Sequence, residues 1–457
     1  MEIIQELSSF IVKTEFKTLT DKSIELSKIN ILDFIGVALA GTKTEVGKII
    51  YEFVNENIGL NISGVYAGHI KTSPSMAAFA NGIFAHALDY DDINWTMMGH
   101  PSVSILPAVF AVGEKEKLVG EKIIEAYIIG YEIAAKLGLL INPEHYELGW
   151  HTTGTLGAFG AMAAVSKILR LNEEQIKIAF GIVASLTSGI RRNFGTMTKP
   201  LHAGNAARNG VMAAFLAQKG FSADKNVLDG KMGFYDLFAS NKNVNVNSFN
   251  TDLGNPFEIV HPGTVIKPYP CCGGGHAAVD AILDLIKIYN LSEEKINKVE
   301  CGVHYRLPQT MIYQKPKTGL EGKFSLEYCL AVAIIDKKVG LEQFSDQKVN
   351  DNKIQEILNK IKVYVHPELT TKESLKNRFA EVTVYTNDGE VFKKRVYKPL
   401  GNPDNPLPND KIKQKFIDCT KSILHEDDIN QVTQLIYNLE QLKNIDEIMN
   451  IIVFKTF

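Results

Sequence analysis

The sequence predicts a mainly α protein in which a large all-helical domain is joined to a smaller α+β domain. Three observations carry this. Residues 1 to about 240 place apolar side chains at helical spacing in nearly every segment, short β-rich runs appear after about residue 265, and helical periodicity returns from about 409 to 453. The chain has 457 residues, whereas single cores stop growing at roughly 250 to 300. Two domains are therefore expected, with 1–265 and 407–457 forming the helical part and 266–406 the α+β part.

The N-terminal stretch MEIIQELSSFIVKTEF has acids at positions 2 and 6 and no small-residue cleavage site, so it reads as an amphipathic helix and not as a signal peptide. Within 22–40, Ile24, Ile31, Leu32, Ile35 and Leu39 recur at helical spacing, as do Ile123, Ile124, Tyr127, Ile128 and Tyr131 in 120–140. The small residues of GAFGAMAAVSK and NAARNGVMAAFLA let helices approach closely, which predicts a buried bundle. NKNVNVNSFN reads as a surface loop. KINKVECGVHYRL, IKVYVHPEL and AEVTVYTNDGEVFKKRVYK read as strands, the last with an Asn387-Asp388-Gly389 turn between two of them. Asn402-Pro403-Asp404-Asn405-Pro406 is the linker, and the helices of KIKQKFIDCTKSIL and VTQLIYNLEQL beyond it should pack back on the first domain.

Charge and cysteine content narrow the class of partner. With 49 basic and 52 acidic residues, a net charge of −3 and no long run of either sign, neither a nucleic-acid surface nor a polybasic membrane contact is implied. The apolar stretches 102–113 and 156–166 fall far short of the ~20 residues that a membrane span needs. The five cysteines are odd in number and lack paired C-x-x-C spacing, which predicts free thiols in a reducing compartment and a cytoplasmic location. A small-molecule partner is the expectation that remains.

Three stretches put a basic side chain where a helix begins. His100 precedes Pro101 in GHPSVSILPAVFAV, Lys199 precedes Pro200 in TKPLHAGNAARNG, and His151 precedes Thr152 and Thr153, two potential caps, in HTTGTLGAFG. A helix N-terminus offers free N–H donors and about half a positive charge, so each place suits an anion, and three together suggest several carboxylates. Each alone also reads as a solvated cap. The dipole favours a neutral imidazole in the empty site, and a bound anion pushes the other way.

The acidic cluster HALDYDDIN holds Asp89, Asp91 and Asp92, and helical spacing would put Asp89 with Asp92, and His86 with Asp89, on one face. It reads as a divalent metal site without the EF-hand pattern, as a D-x-D-D proton donor of the terpenoid-cyclase kind, or as surface carboxylates. In PYPCCGGGHAAVD the vicinal Cys271 and Cys272 cannot readily share a tetrahedral ion, and the glycines allow close backbone approach before a helix near His276. Neither a P-loop nor a dinucleotide fingerprint is present, so nothing asks for a nucleotide.

In order, NGIFAHALDYDDIN, GHPSVSILPA, GWHTTGTLGAFGAMAA, FGTMTKPLHAGNAARNG, KPYPCCGGGHAAVDA and EGKFSLEYCLA resemble the motif series of the MmgE/PrpD family over almost the whole chain. That family includes 2-methylcitrate dehydratase, cis-aconitate decarboxylase and iminodisuccinate epimerase. The resemblance implies a large helical domain with a smaller α+β lid, a homodimer, and catalysis with neither metal nor organic cofactor. Carried over by position, the decarboxylase pocket resembles Asp89, His100, His151, Lys199 and His276, with Tyr313 as the lid tyrosine. A pocket threonine of the family falls on Ile93 here, and the Asp89-to-His100 spacing is one residue longer, which bears on the substrate more than on the scaffold.

The expected activity is that of a cofactor-independent lyase on a small di- or tricarboxylic acid, by dehydration or decarboxylation, with epimerisation of an imino-dicarboxylate as the alternative. Lys199 with the helix N–H groups would hold a carboxylate, aided by His202, Arg191, Arg192 and Lys267, while His100 or His151 moves the proton. Asp89 would orient a histidine or donate a proton itself. Lys199 as a Schiff base, and a carboxylate-binding protein without turnover, are the other readings. The lid, roughly 267–405, is expected to cover the site, with His276 and Tyr313 reaching in.

Overall fold

The structure is a computed structural model and describes residues 3–239 and 252–457; the expected loop NKNVNVNSFN lies outside them. The helical part begins with α1 (Ile3–Lys13), α2 (Asp21–Thr42) and α3 (Glu45–Glu56), then a hairpin of β1 (Ser63–Val65) and β2 (Ile70–Thr72). It continues with α4 (Pro74–His86), α5 (Ser102–Glu116), α6 (Gly120–Ile141), the single turn α7 (Glu144–Glu147), α8 (Thr152–Ile168), α9 (Glu173–Leu186), α10 (Thr198–Gln218) and the short α11 (Phe234–Phe238). The hairpin departs from the all-helical expectation: each strand is three residues long, too short for an alternation to show in sequence.

Local chemistry starts these helices. Thr20, Thr44, Ser73 and Asn172 accept backbone N–H bonds at the heads of α2, α3, α4 and α9, and Pro74 opens α4 where its missing N–H costs nothing. Helices α8 and α10 pack on each other and on α4, α5, α6 and α9, so both are buried on several sides. Their small residues act as the sequence suggests. A Cβ on Gly82 of α4 would lie 2.8 Å from the Cα of Gly204 in α10, and one on Gly204 would lie 2.2 Å from the Phe79 carbonyl oxygen. The two backbones touch there, which sets the end of α4 beside the start of α10.

The α+β part carries α12 (His276–Tyr289), β3 (Ile296–Val303), the turn α13 (Gly319–Gly322), α14 (Leu326–Asp336), α15 (Asp346–Val349), α16 (Asn352–Leu358), β4 (Ile361–Val365), β5 (Ala380–Thr386) and β6 (Val391–Val396). Its sheet has the order β4-β3-β5-β6, with β3 and β4 parallel and the other neighbours antiparallel. The strands fall in the three β-rich runs, and Gly389, at φ +89°, supplies the left-handed residue of the β5–β6 turn. Helices α12 and α14 pack against this sheet and each other.

Beyond the sheet, α17 (Asn409–Thr420), α18 (Glu426–Tyr437) and α19 (Asp446–Phe454) return to the helical part. One hydrophobic core draws on residues from Ile3 to Ile266 and again from Leu407 to Val453, and a second runs from Cys271 to Val384. Lys415 of α17 makes a buried ion pair with Asp33 at 2.6 Å and donates to the Tyr90 carbonyl at 2.8 Å, which pins the acidic stretch after α4. Among the described residues no helix is long and apolar enough to cross a membrane.

Candidate active site

Helix α4 ends at His86, and residues 87–92 turn instead of continuing it, with Asp89 at φ +50°. The shared helical face expected for Asp89 and Asp92 therefore does not form, because i,i+3 geometry applies only where the helix persists. The turn instead drops the Asp89 carboxylate onto two lysines. Lys199, in the first turn of α10 and so inside the helix rather than ahead of it, places Nζ 2.8 Å from Asp89 Oδ1 and 2.8 Å from His86 Nε2. Lys267, fully buried, donates to the Asp89 carbonyl at 2.8 Å and to Oδ1 at 3.0 Å.

These partners decide the charge of the cluster. Burial pushes the Asp89 carboxyl up, but the Lys199 and Lys267 ammoniums outweigh it and hold the group well below the carboxylate range. Asp89 thus anchors two lysines, and neither orients a histidine at hydrogen-bond distance nor has a proton to give. His100 Nε2 stands 3.8 Å from its Oδ1. Burial works against the charge of Lys267 as well, yet Asp89 and Asp91 raise it above its ordinary value.

Asp91 is the carboxylate that holds the histidines. Its Oδ2 lies 2.9 Å from Nδ1 of His86 and 2.9 Å from Nδ1 of His100, and the latter nitrogen is also 2.9 Å from the Asp92 carbonyl oxygen. Each neighbour is an acceptor, so Nδ1 carries the proton in both rings. His86 Nε2 then accepts from Lys199, and His100 Nε2 is left with a free lone pair on a ring that lines the cavity. Burial, reinforced by Lys199, brings His86 down to about 3; burial with Lys267 and Lys199 lowers His100 against the pull of Asp91. Asp92 receives the Ser102 hydroxyl at 2.6 Å, but burial and the charges of Asp91 and Asp33 push it up to about 8.

His151 is itself the N-cap residue of α8, without a side-chain cap bond, so the threonines serve another purpose. Thr152 donates to the Met98 carbonyl at 2.6 Å and Thr153 accepts the His100 N–H at 3.1 Å, tying the His100 segment to the head of α8. The Nδ1 atoms of His151 and His202 lie 2.9 Å apart, one donating and the other accepting. Burial and Lys199 lower both rings, His202 to about 4.

Asp89, His100, His151, Lys199 and Lys267 line one cavity of about 490 Å³ between the helical part and the α+β part. The heads of α5, α8 and α10 meet in it, and Gly273, Gly274 and Ala277 bring the start of α12 to its wall. Other expected residues lie elsewhere. His276 is buried outside the lining, its Nε2 3.2 Å from the Cys271 carbonyl and its ring edge-on to Tyr269, because the first turn of α12 presents glycine backbone and Ala277 to the cavity. Tyr313 donates to the Phe194 carbonyl at 3.1 Å and stays behind that ring. Arg191 is spent on the Tyr146 carbonyl at 2.8 Å, Thr310 at 2.9 Å and the Gln309 carbonyl at 3.1 Å, which fastens the loop at Gln309 and Thr310 to the helical part. Arg192 is exposed.

Several participants have no clear sequence signal. The pairing of His86 and Asp91 crosses a turn and has no periodic spacing to reveal it. Lys323, in EGKFSLEYCLA, donates to the Leu88 carbonyl at 2.7 Å and the Pro270 carbonyl at 3.1 Å, and burial lowers it to about 8. The α+β part adds His304, Arg306 and Arg378 to the cavity wall, which come from strand ends and loops.

His86, Asp89, Asp91 and His100 can each offer a ligand atom within 4.8 Å of the others, the geometry of a cation site. Here Lys199 already occupies His86 Nε2 and Asp89, and Lys267 shares Asp89, so a divalent ion would meet two ammoniums at the same oxygen. The donor set suits lysines and protons better than a metal.

The chain is 28% identical over 438 residues to cis-aconitate decarboxylase of Homo sapiens, covering 93% of this chain and 89% of that protein. It is 27% identical over 455 residues to cis-aconitate decarboxylase of Aspergillus terreus, covering 94% and 91%. To a cis-aconitate decarboxylase-like protein of Aspergillus oryzae it is 22% identical over 473 residues, covering 98% and 97%. Residues 5–247 match the MmgE/PrpD N-terminal domain and residues 269–441 the MmgE/PrpD C-terminal domain. A fold of one helical and one α+β part, six motifs in order and matches over both domains make one conclusion: the chain belongs to the MmgE/PrpD family.

Proposed function

We propose that the protein is a lyase for a small tricarboxylic acid, with decarboxylation of cis-aconitate as its reaction. One observation supports this most: His100, with its Nδ1–H on acceptors and Nε2 free, shares one cavity with two ammoniums fixed on one carboxylate. When the carboxylate on the saturated carbon of cis-aconitate leaves as CO₂, its bonding electron pair moves through the double bond. Negative charge then develops on the carbon beside another carboxylate, and a proton adds to that carbon. Lys199 and Lys267 are held where they can bind that carboxylate and gain strength as charge develops, and one such donor in a closed site contributes ~3 kcal/mol. His100, with His151 beside it, supplies the proton. Both rings are neutral in the empty cavity, and a trianion arriving there draws a proton onto them.

The convergence of Asp89, His100, His151 and Lys199 in one cavity favours turnover over carboxylate binding alone, and membership of the family sets aside the terpenoid-cyclase reading. The proposal includes action without metal or organic cofactor, as a cytoplasmic homodimer, with 266–406 as the lid over a helical domain of 1–265 and 407–457. The test is incubation with cis-aconitate, 2-methylcitrate and iminodisuccinate in D₂O, followed by NMR. Loss of CO₂ from cis-aconitate, with one deuterium at the carbon next to a carboxylate, is expected. Turnover of only the second or third compound, or of none, would overturn the assignment.

A further inference from the structure

The stretch of cavity wall that carries His304, Arg306 and Arg378 is positively charged and short of acids. Arg378 lines the cavity with its guanidinium carbon 3.8 Å from the centre of the Trp95 ring, and it pairs with no carboxylate among the described residues. Burial, and then the charge of Arg306, brings it down to about 10. Arg306 lies in the same wall with a side chain 12% exposed; one terminal nitrogen contacts Glu147, while its Nε is buried without an acceptor. His304 beside them is lowered to about 4 by burial and by both arginines. The other acids at the cavity are engaged: Asp89 by its two lysines, and Asp404 by Lys398 at 2.7 Å. Two desolvated guanidiniums facing one cavity with a single carboxylate between them are costly unless an anion joins them.

We propose that Arg306 and Arg378 form a second anion subsite, which takes the substrate carboxylate that neither leaves as CO₂ nor is held by Lys199 and Lys267, and so selects a three-carboxylate acid over a two-carboxylate one. The inference rests on the lyase reading for its substrate class. Trp95 holds the Arg378 plane, and Glu147 holds one edge of Arg306, so both forks are oriented before the anion arrives. Both arginines lie on the α+β part, so filling the subsite would also draw the lid onto the helical part.

The test compares equilibrium binding of cis-aconitate with that of (Z)-glutaconate, which keeps the carboxylate that would leave and the one held by the lysines and lacks the third, in the full-length protein. Wild type should prefer cis-aconitate by at least 10-fold, Arg378→Gln should lose that preference, and Arg378→Lys should keep part of it, with unchanged thermal midpoints. If Arg378→Gln fails to fold, the preference of Arg378→Lys relative to wild type decides. An undiminished preference in a folded Arg378→Gln, or equal wild-type affinity for both acids, overturns the subsite alone. Failure of wild type to bind either acid overturns the lyase reading together with it.

Discussion

Oδ2 of Asp91 lies 2.9 Å from Nδ1 of His100, and this contact raises a ring that burial otherwise drives toward neutrality. In His100→Gln, kcat should fall by ~10² to 10⁴ with KM little changed, as for loss of a general acid. Asp91→Asn keeps the shape and removes the charge, so the His100 pKa falls further. Its kcat should lie between wild type and His100→Gln, and the limb on which rate declines with rising pH should move to lower pH. A kcat–pH profile of Asp91→Asn that superimposes on wild type would exclude this role.

Lys199 and Lys267 share one oxygen of Asp89, so removing either leaves the other still paired. Lys267→Met should raise KM and lower kcat together, because its charge binds the ground state and counts for more as negative charge develops. Steady-state kinetics on Lys199→Ala should show the same pattern, and an Asp89→Asn variant should lose both anchors. A pure KM effect in either lysine variant would reduce that lysine to uniform binding.

The His151–His202 contact makes a separate prediction. If His151 shares proton transfer with His100, His151→Gln should lose one limb of the pH–rate profile, whereas His202→Asn, one residue removed from the cavity, should change it less. A wild-type rate and profile in His151→Gln would leave the ring as an N-cap residue alone.

Exhaustive chelation should leave the rate unchanged, since Lys199 and Lys267 fill the positions that a cation would take among His86, Asp89, Asp91 and His100. A chelator-sensitive rate that Mg²⁺ restores would make those four residues ligands.

Asp92 links the site to stability. Its pKa is raised in the fold to about 8, so its favourable contribution is present below the ordinary carboxylate pKa and is lost as pH rises toward 8. Asp92→Asn removes that loss. The difference in thermal midpoint between variant and wild type should grow from about pH 4 to about pH 8 and reach at least ~2 °C in favour of the variant. The buried histidines titrate in both proteins and cancel from the comparison. A difference independent of pH would place the Asp92 proton elsewhere.

What the sequence determined by itself was local. Pro101 and Pro200 mark helix starts, because a missing N–H acts within one turn, and the chain begins helices there and at the threonines after His151, whose hydroxyls bond to the His100 segment and not to the helix head. Apolar spacing separated the helical run from the strands, and Asn387-Asp388-Gly389 marked the β5–β6 turn, since both signals depend only on neighbours along the chain. The family motifs placed Asp89, His100, His151 and Lys199 together before any geometry was known.

The tertiary structure decided which of these groups meet and in what state. The close approach of the α4 and α10 backbones at Gly82 and Gly204 puts the end of α4 against the start of α10, and so His86 and Asp89 against Lys199. Helical spacing misplaced Asp89 and Asp92 because α4 ends three residues before Asp89, where the bond from Lys415 to the Tyr90 carbonyl helps to hold the turn from 325 residues away. The same applies to the turning of His276 toward Cys271 and to the placing of Arg306 and Arg378 in the cavity wall. Each depends on packing between distant segments, and burial, which sets the charge of every group in the site, exists only once that packing is complete.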